Sequence, residues 1–251
     1  MRSSNPVLNF GPMDSFQGEF FPTSQSMTVQ GTATNTLILL GLCFGTGSMT
    51  FAMTHGGNTG AAAPWMIAGL IGGLVFSIAT MVKPSWSAYT APLYALAEGL
   101  FLGAISGMYE RAFHGIVPQA ALATLGTMAA MLFAYRSGVI RPTQGFMMGV
   151  AAATGGIALM FFVAMIASFF GIHFSFLYSP SPIGIGISLV IVVVAALNLI
   201  IDFHSIYMAA QHGAPKYYEW YSAFGLMVTL IWLYIEIIRL LSLIAMYSRD
   251  E

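Results

Sequence analysis

The sequence predicts an all-α integral membrane protein of seven transmembrane helices, with the C-terminal helix central and surrounded by the other six. Three observations carry that prediction. Only 7 % of the residues are charged and the mean hydropathy is +0.80, whereas soluble domains carry about 25 % charged residues. The apolar runs are continuous rather than alternating, which argues for helices and against a β-barrel. The last run, from Ala223 to Met246, holds an acid, Glu236, and a base, Arg239, in a stretch long enough for one crossing at roughly 20 residues per span. An ionisable group at the centre of a membrane helix costs at least about 2.5 kcal/mol on insertion scales. The polar side of this helix must therefore face protein, water or a partner.

Residues 1–30 read as a polar, poorly ordered tail. They contain Asp14, Glu19, Pro12 and Pro22 and no apolar stretch of the kind found in a cleavable signal peptide. The seven-helix domain follows over 31–248, and 249–251 form a short C-terminal tail. The first span covers about 32–54 and closes at the turn His55-Gly-Gly-Asn-Thr-Gly60. The second, 62–82, ends at Lys83-Pro84. The third, 88–109, ends at Glu110-Arg111, and the fourth, 117–135, precedes Arg136 and Arg141-Pro142. The fifth, 145–170, stops at Gly171 before a loop with Pro180 and Pro182. The sixth covers 183–207, and 223–246 is the seventh. Gly and Pro mark the connections.

Orientation follows from the basic residues near the span ends. With the N-terminus inside, Arg2, Lys83, Arg136, Arg141 and Lys216 are cytoplasmic, and Arg111 and Arg249 are outside. Five against two places the N-terminus in the cytoplasm and the C-terminus outside. Small residues recur four apart at Gly41/Gly45, Gly69/Gly73, Gly99/Gly103/Gly107 and Gly145/Gly149. Such faces let helix backbones approach closely. Packing within the bundle is the plain reading, and homodimerisation the sharper one; the oligomeric state stays open.

Several functions are disfavoured. A net charge of −1 with no basic block gives no footprint for nucleic acid. The single Cys43 excludes an internal disulfide and a cysteine-based metal cluster. His-Glu-x-x-His, P-loop and nucleophile-elbow patterns are absent, and the five histidines lie mostly in loops without metal-ligand spacing. No enzyme and no cofactor is expected.

What remains is the set of ionisable groups within spans: Glu98 in the third, Asp202 late in the sixth, and Glu236 and Arg239 in the seventh. Buried charges of this kind are functional candidates because burial must be compensated by pairing or water. Asn198 lies four residues before Asp202, on the same helical face. Glu236 and Arg239 are three apart and can pair along their helix. The structural alternatives are an ion pair at Glu236–Arg239, a bundle hydrogen bond at Glu98 and an interfacial position for Asp202. The sixth and seventh helices are antiparallel neighbours through His212-Gly-Ala-Pro-Lys216, so Asp202 and Glu236 both fall toward the cytoplasmic half, Glu236 deeper. Two carboxylates brought together in low dielectric cannot both ionise easily, so one holds a proton and the pair titrates as a unit. Their hard oxygens also suit transient Ca²⁺ binding.

The stretch Leu233-Tyr-Ile-Glu-Ile-Ile-Arg-Leu-Leu241 resembles the terminal-helix signature of the Bax inhibitor family, Leu-Tyr-Leu-Asp-Ile-Ile-Asn-Leu-Phe. Ala196-Leu-Asn-Leu-Ile-Ile-Asp202, followed by His212-Gly213, is similar to that family's penultimate helix and loop. Met1-Arg-Ser-Ser-Asn-Pro-Val7 and Ala97-Glu-Gly-Leu-Phe-Leu-Gly103 resemble its actinobacterial branch. The resemblance implies a C-terminal helix ringed by three antiparallel helix pairs. It also implies a pH-gated Ca²⁺ leak in the bacterial cytoplasmic membrane, with Asp202 and Glu236 as paired gate and proton-sensing acids. Arg239, Asn198 and Glu98 would form the supporting polar network. The chain departs from the pattern in carrying Glu rather than Asp at 236, a longer gap between the two acids and a basic Arg239 where a neutral residue is common. Expected partners are the lipid bilayer and Ca²⁺ or protons. The second expectation is a non-transporting regulator that binds another membrane protein, such as a quality-control protease, in which the tail (roughly residues 1–28) and the glycine faces matter and the acids are structural.

Overall fold

The computed structural model describes residues 26–171 and 179–250. Most of the predicted tail lies outside the described residues. Seven helices are long and apolar enough to cross a membrane, and no strand element occurs among the described residues. They are α1 (Val29–His55), α2 (Thr59–Val82), α3 (Ser87–Ala112), α4 (Ile116–Arg136), α5 (Gln144–Phe169), α6 (Pro182–Gln211) and α7 (Tyr218–Asp250).

Five of the helices begin where a side chain takes up orphan backbone donors. The oxygens of Thr28, Asn58, Thr143 and Ser181 accept from backbone N–H groups in the first turns of α1, α2, α5 and α6. At α4 the cap comes from further away. The Glu110 carboxylate accepts from the N–H of Gly115 at 2.6 Å and of Val117 at 3.0 Å. That pins the α3–α4 turn, where Gly115 adopts a positive φ of 83°. Glu110, legible in the sequence as a loop marker, is thus a capping residue.

The helices outrun the predicted spans, most of all at the loop joining α6 and α7. α6 continues to Gln211, and α7 begins at Tyr218 rather than at Ala223. The polar-looking Tyr217-Tyr-Glu-Trp220 is therefore largely the first turn of α7, and Glu219 in it is only 4 % exposed. At about 1.5 Å per residue, the 33 residues of α7 exceed a hydrocarbon core of about 30 Å.

α7 is the element common to both hydrophobic cores. Leu226, Leu230, Leu233, Ile237 and Ile238 pack with Ala195, Leu199 and Ile206 of α6 and with Ile116 and Ala120 of α4. Phe224, Met227 and Ile231 pack on its other side with Leu39 of α1 and Tyr94 and Leu102 of α3. The central position expected for the C-terminal helix is found, with one refinement. α7 packs directly along α1, α3, α4 and α6, whereas α2 is carried by α3 and α1, and α5 by α6. α3 shares the interior with α7.

Glycine explains the depth of α3. A Cβ at Gly103 would meet the Gly47 carbonyl and the Thr50 hydroxyl of α1; one at Gly107 would meet Thr54. On its other side, α3 packs against α2 at Gly69, where a Cβ would lie 2.8 Å from the Phe101 nitrogen. In the α1–α3 seam the Thr46 hydroxyl donates to the Leu96 carbonyl at 2.9 Å. Two of the four glycine faces are therefore bundle contacts. At Gly41/Gly45 and Gly145/Gly149 a Cβ would find no heavy atom within 4 Å, and these faces point away from the bundle, because α1 and α5 each present only one side to their neighbours.

Candidate functional site

Of the four intramembrane ionisable residues, three lie along the α6–α7 side of the bundle. On α7, Thr229, Trp232, Glu236 and Arg239 follow one another at spacings of three and four, which aligns them in a single stripe on one helical face. Glu236 Oε2 and Arg239 Nη2 are 2.7 Å apart, with side chains 5 % and 11 % exposed. The Trp232 side chain lies beside the Glu236 carboxylate. Arg239 lies over the ring of Phe161 of α5, its guanidinium carbon 5.3 Å from the centroid, close enough for cation–π attraction. Salt bridge, indole and aromatic face together hold an acid and a base where lipid would not.

The pair is nonetheless incompletely satisfied. Glu236 Oε2 and Arg239 Nε and Nη2 are buried without a well-oriented hydrogen bond. A guanidinium offers five N–H donors, and an ion pair in low dielectric is stable only when its remaining donors and acceptors are met. The contact is close, but its geometry leaves hydrogen-bonding capacity unused.

Asp202 reaches α7 from α6. The polar side chain facing it is Thr229, and its Oδ2 is buried with no hydrogen-bond partner. Thr229 and Glu236 are seven residues apart on the same stripe, an axial offset of about 10 Å at about 1.5 Å per residue. Asp202 thus stands opposite the N-terminal end of the stripe and Glu236 two turns further along α7. The two carboxylates lie against one face of α7, Asp202 near Thr229 and Glu236 beside Arg239.

Asn198 does not join them. Its Nδ2 donates to Thr154 Oγ1 of α5 and to the Val194 carbonyl, both at 2.8 Å. A step of four residues rotates a helical side chain by about 40°, and the Asn198 side chain faces α5 rather than Asp202. Glu98 is also separate. It lies in α3 and accepts from the Tyr94 hydroxyl at 3.3 Å. Arg239, the third member of the expected network, does contact Glu236. Among the described residues, no three His, Cys, Asp or Glu side chains gather as a metal site would require; Asp202 and Glu236 are two carboxylates at different depths.

Two residues escaped the sequence reading. Thr229 could have been found from its seven-residue spacing to Glu236. Glu219 could not, because its segment has the composition of a loop. Its carboxylate accepts from the Thr28 N–H at 2.9 Å, the Thr28 hydroxyl at 2.8 Å and the Lys216 ammonium at 2.8 Å. Beside it the Met27 N–H donates to the Ala214 carbonyl at 2.7 Å, and Ser26 bridges to Pro215. The entry to α1 is thereby fastened to the loop between the two acid-bearing helices.

The family model described as Bax inhibitor 1 like matches residues 5–246, nearly the whole chain. No curated protein and no solved structure matches it at comparable significance.

Proposed function

We propose, from the premise that the chain belongs to the Bax inhibitor 1-like family, that it is a pH-sensitive cation leak with Asp202 and Glu236 as its gating acids. The cation is Ca²⁺, whose preference for hard oxygen ligands fits carboxylates. The protein acts without catalysis and resides in the bacterial cytoplasmic membrane, N-terminus inside and C-terminus outside, as the five-to-two distribution of basic residues indicates.

The observation that carries this reading is the Asp202 Oδ2, buried without a partner beside a stripe that also holds Glu236 and Arg239. An unsatisfied carboxylate oxygen in a membrane interior is a place for a proton, a water or a cation. With Asp202 protonated, the cytoplasmic half of the path carries no charge and stays dry. With Asp202 ionised, the carboxylate draws water and cations toward the stripe. The Glu236–Arg239 pair then forms the deeper plug. Releasing Glu236 from Arg239 supplies a second set of oxygens two turns along, and a cation passes from one acid to the other.

The test is Ca²⁺ flux into proteoliposomes from pH 5 to pH 8, for the native chain, Asp202→Asn and Glu236→Gln. A pH profile altered in both variants supports the gate. No flux above empty liposomes at any pH overturns the channel reading.

A second reading is favoured by the fastening of Ser26–Thr28 to the α6–α7 loop. In it the chain is a membrane regulator that binds another membrane protein, such as a quality-control protease, through its N-terminal segment. Deleting residues 1–25 then abolishes regulation of the partner and leaves Ca²⁺ flux unchanged.

A further inference from the structure

A cavity of about 470 Å³ lies between α2, α3 and α7. Its size falls within the range of small-molecule sites, roughly 300–1,000 Å³. It exists because α2 does not pack along α7 there, and two glycines shape it. At Gly73 of α2 a Cβ would stand 3.0 Å from Glu98 Oε2, so the missing side chain lets the α3 carboxylate lie across α2. At Gly225 of α7 a Cβ would meet nothing within 4 Å, so the central helix leaves the space open. Leu70, Leu74 and Val228 on its walls are exposed on the outer face of the bundle, and the cavity is entered from the bilayer.

The one carboxylate in this cavity lacks a countercharge. Glu110 caps α4, Glu219 pairs with Lys216, and Glu236 pairs with Arg239. Glu98 receives only the Tyr94 hydroxyl, and no Lys, Arg or His lies within ion-pair distance of it among the described residues. An acid in a membrane interior calls for a cation.

Depth and lining decide which cation. Glu98 lies 11 residues into α3, about 17 Å along the axis, near mid-span. Lipid headgroups do not reach that depth, so the occupant must be membrane-soluble throughout. Ca²⁺ takes six to eight oxygen ligands, whereas the cavity offers one carboxylate and the hydroxyls of Tyr94, Tyr221 and Ser77 among apolar walls. An ammonium group has three donors and needs only a few acceptors, and an apolar body would rest against Leu74, Phe224 and Val228.

We infer that the α2–α3–α7 cavity is a binding site for a lipophilic amine, a small apolar molecule with one protonated amino group, taken up from the bilayer and held by Glu98. Phenylpropylamine is a suitable probe, and phenylpropanol is its neutral counterpart of the same shape. Radiolabelled phenylpropylamine should bind the full chain in nanodiscs saturably at one site. Glu98→Gln should weaken that binding at least about tenfold, the loss expected when a charge-assisted contact is removed, and Glu98→Asp should restore part of it. Gly225→Leu, which fills open space without disturbing a packed neighbour, should also abolish saturable binding. Phenylpropanol should compete poorly. Uptake no greater and no more saturable than in empty nanodiscs overturns the assignment. So does saturable binding untouched by Gly225→Leu, or equal competition by phenylpropanol. The last two readouts decide the matter even where Glu98→Gln fails to fold.

Discussion

The carboxylate of Glu219 accepts both the backbone N–H and the hydroxyl of Thr28, at 2.9 and 2.8 Å, across 191 residues of sequence. The Thr28 hydroxyl in turn accepts from the Gly31 N–H at 2.9 Å as the N-cap of α1. One threonine thus caps the first helix and ties it to the first turn of the last. Gly31 faces the same carboxylate, and a Cβ there would collide with it.

Gly31→Ala should therefore act like Glu219→Ala, although one adds a methyl group and the other removes a charge. Each opens the tie between Thr28 and Glu219. Thr28→Ala should lose the cap as well, worth about 1 kcal/mol in comparable helices. Hydrogen exchange by mass spectrometry should show faster exchange at residues 27–32 and 214–219 in all three variants. Native-like protection in Gly31→Ala would mean that the carboxylate has room to move aside and the tie is looser than its distances indicate.

The glycine faces make a paired prediction. Gly103→Ala forces a methyl group into the Gly47 carbonyl of α1, backbone against backbone, and neither side can yield by changing a rotamer. Overpacking of this kind costs about 1–3 kcal/mol. Gly41→Ala and Gly45→Ala place their methyl groups in open space and should change stability by less than about 0.5 kcal/mol. Thermal unfolding in detergent, followed by size-exclusion fluorescence, separates the two classes.

Those glycines show where sequence and structure part company. Hydropathy locates seven spans because lipid imposes a length and a composition on each, and the Glu236–Arg239 pair follows from their spacing along one helix. Which of four similar glycine faces turns inward depends on the rotation of each helix about its own axis, and a near-uniform apolar surface leaves that rotation unmarked. The partner of Asp202 is hidden for a related reason. It depends on how far α6 slides along α7, which is set by α7 starting at Tyr218 inside a segment of loop-like composition. Asn198 turning to Thr154 depends on α5, distant in sequence from the acid pair.

Thr229 offers a direct probe of that register. Thr229→Val keeps the shape of the side chain and removes the hydroxyl that faces Asp202. The acid is then left more poorly satisfied, at a cost of about 1–3 kcal/mol for a buried polar group. Proteoliposome flux in Thr229→Val should show a shifted pH profile, and combining it with Asp202→Asn should add no further shift. Independent, additive shifts would separate Thr229 from the acid.

The Glu236–Arg239 contact calls for a double-mutant cycle, because a buried pair and a broken pair have opposite energetics. Arg239→Met removes the guanidinium and keeps most of its apolar length, leaving an acid 5 % exposed with no cation beside it. Breaking a buried pair from one side costs about 3–5 kcal/mol, whereas replacing both partners by neutral groups is often near neutral. Unfolding of the reconstituted protein should accordingly find Arg239→Met strongly destabilised and Glu236→Gln with Arg239→Met largely recovered. Flux adds the functional half. If the pair is the deeper plug, the double variant folds yet leaks without the native pH dependence. A double variant as stable and as tight as the native chain would make the pair structural and leave Asp202 as the sole gating acid.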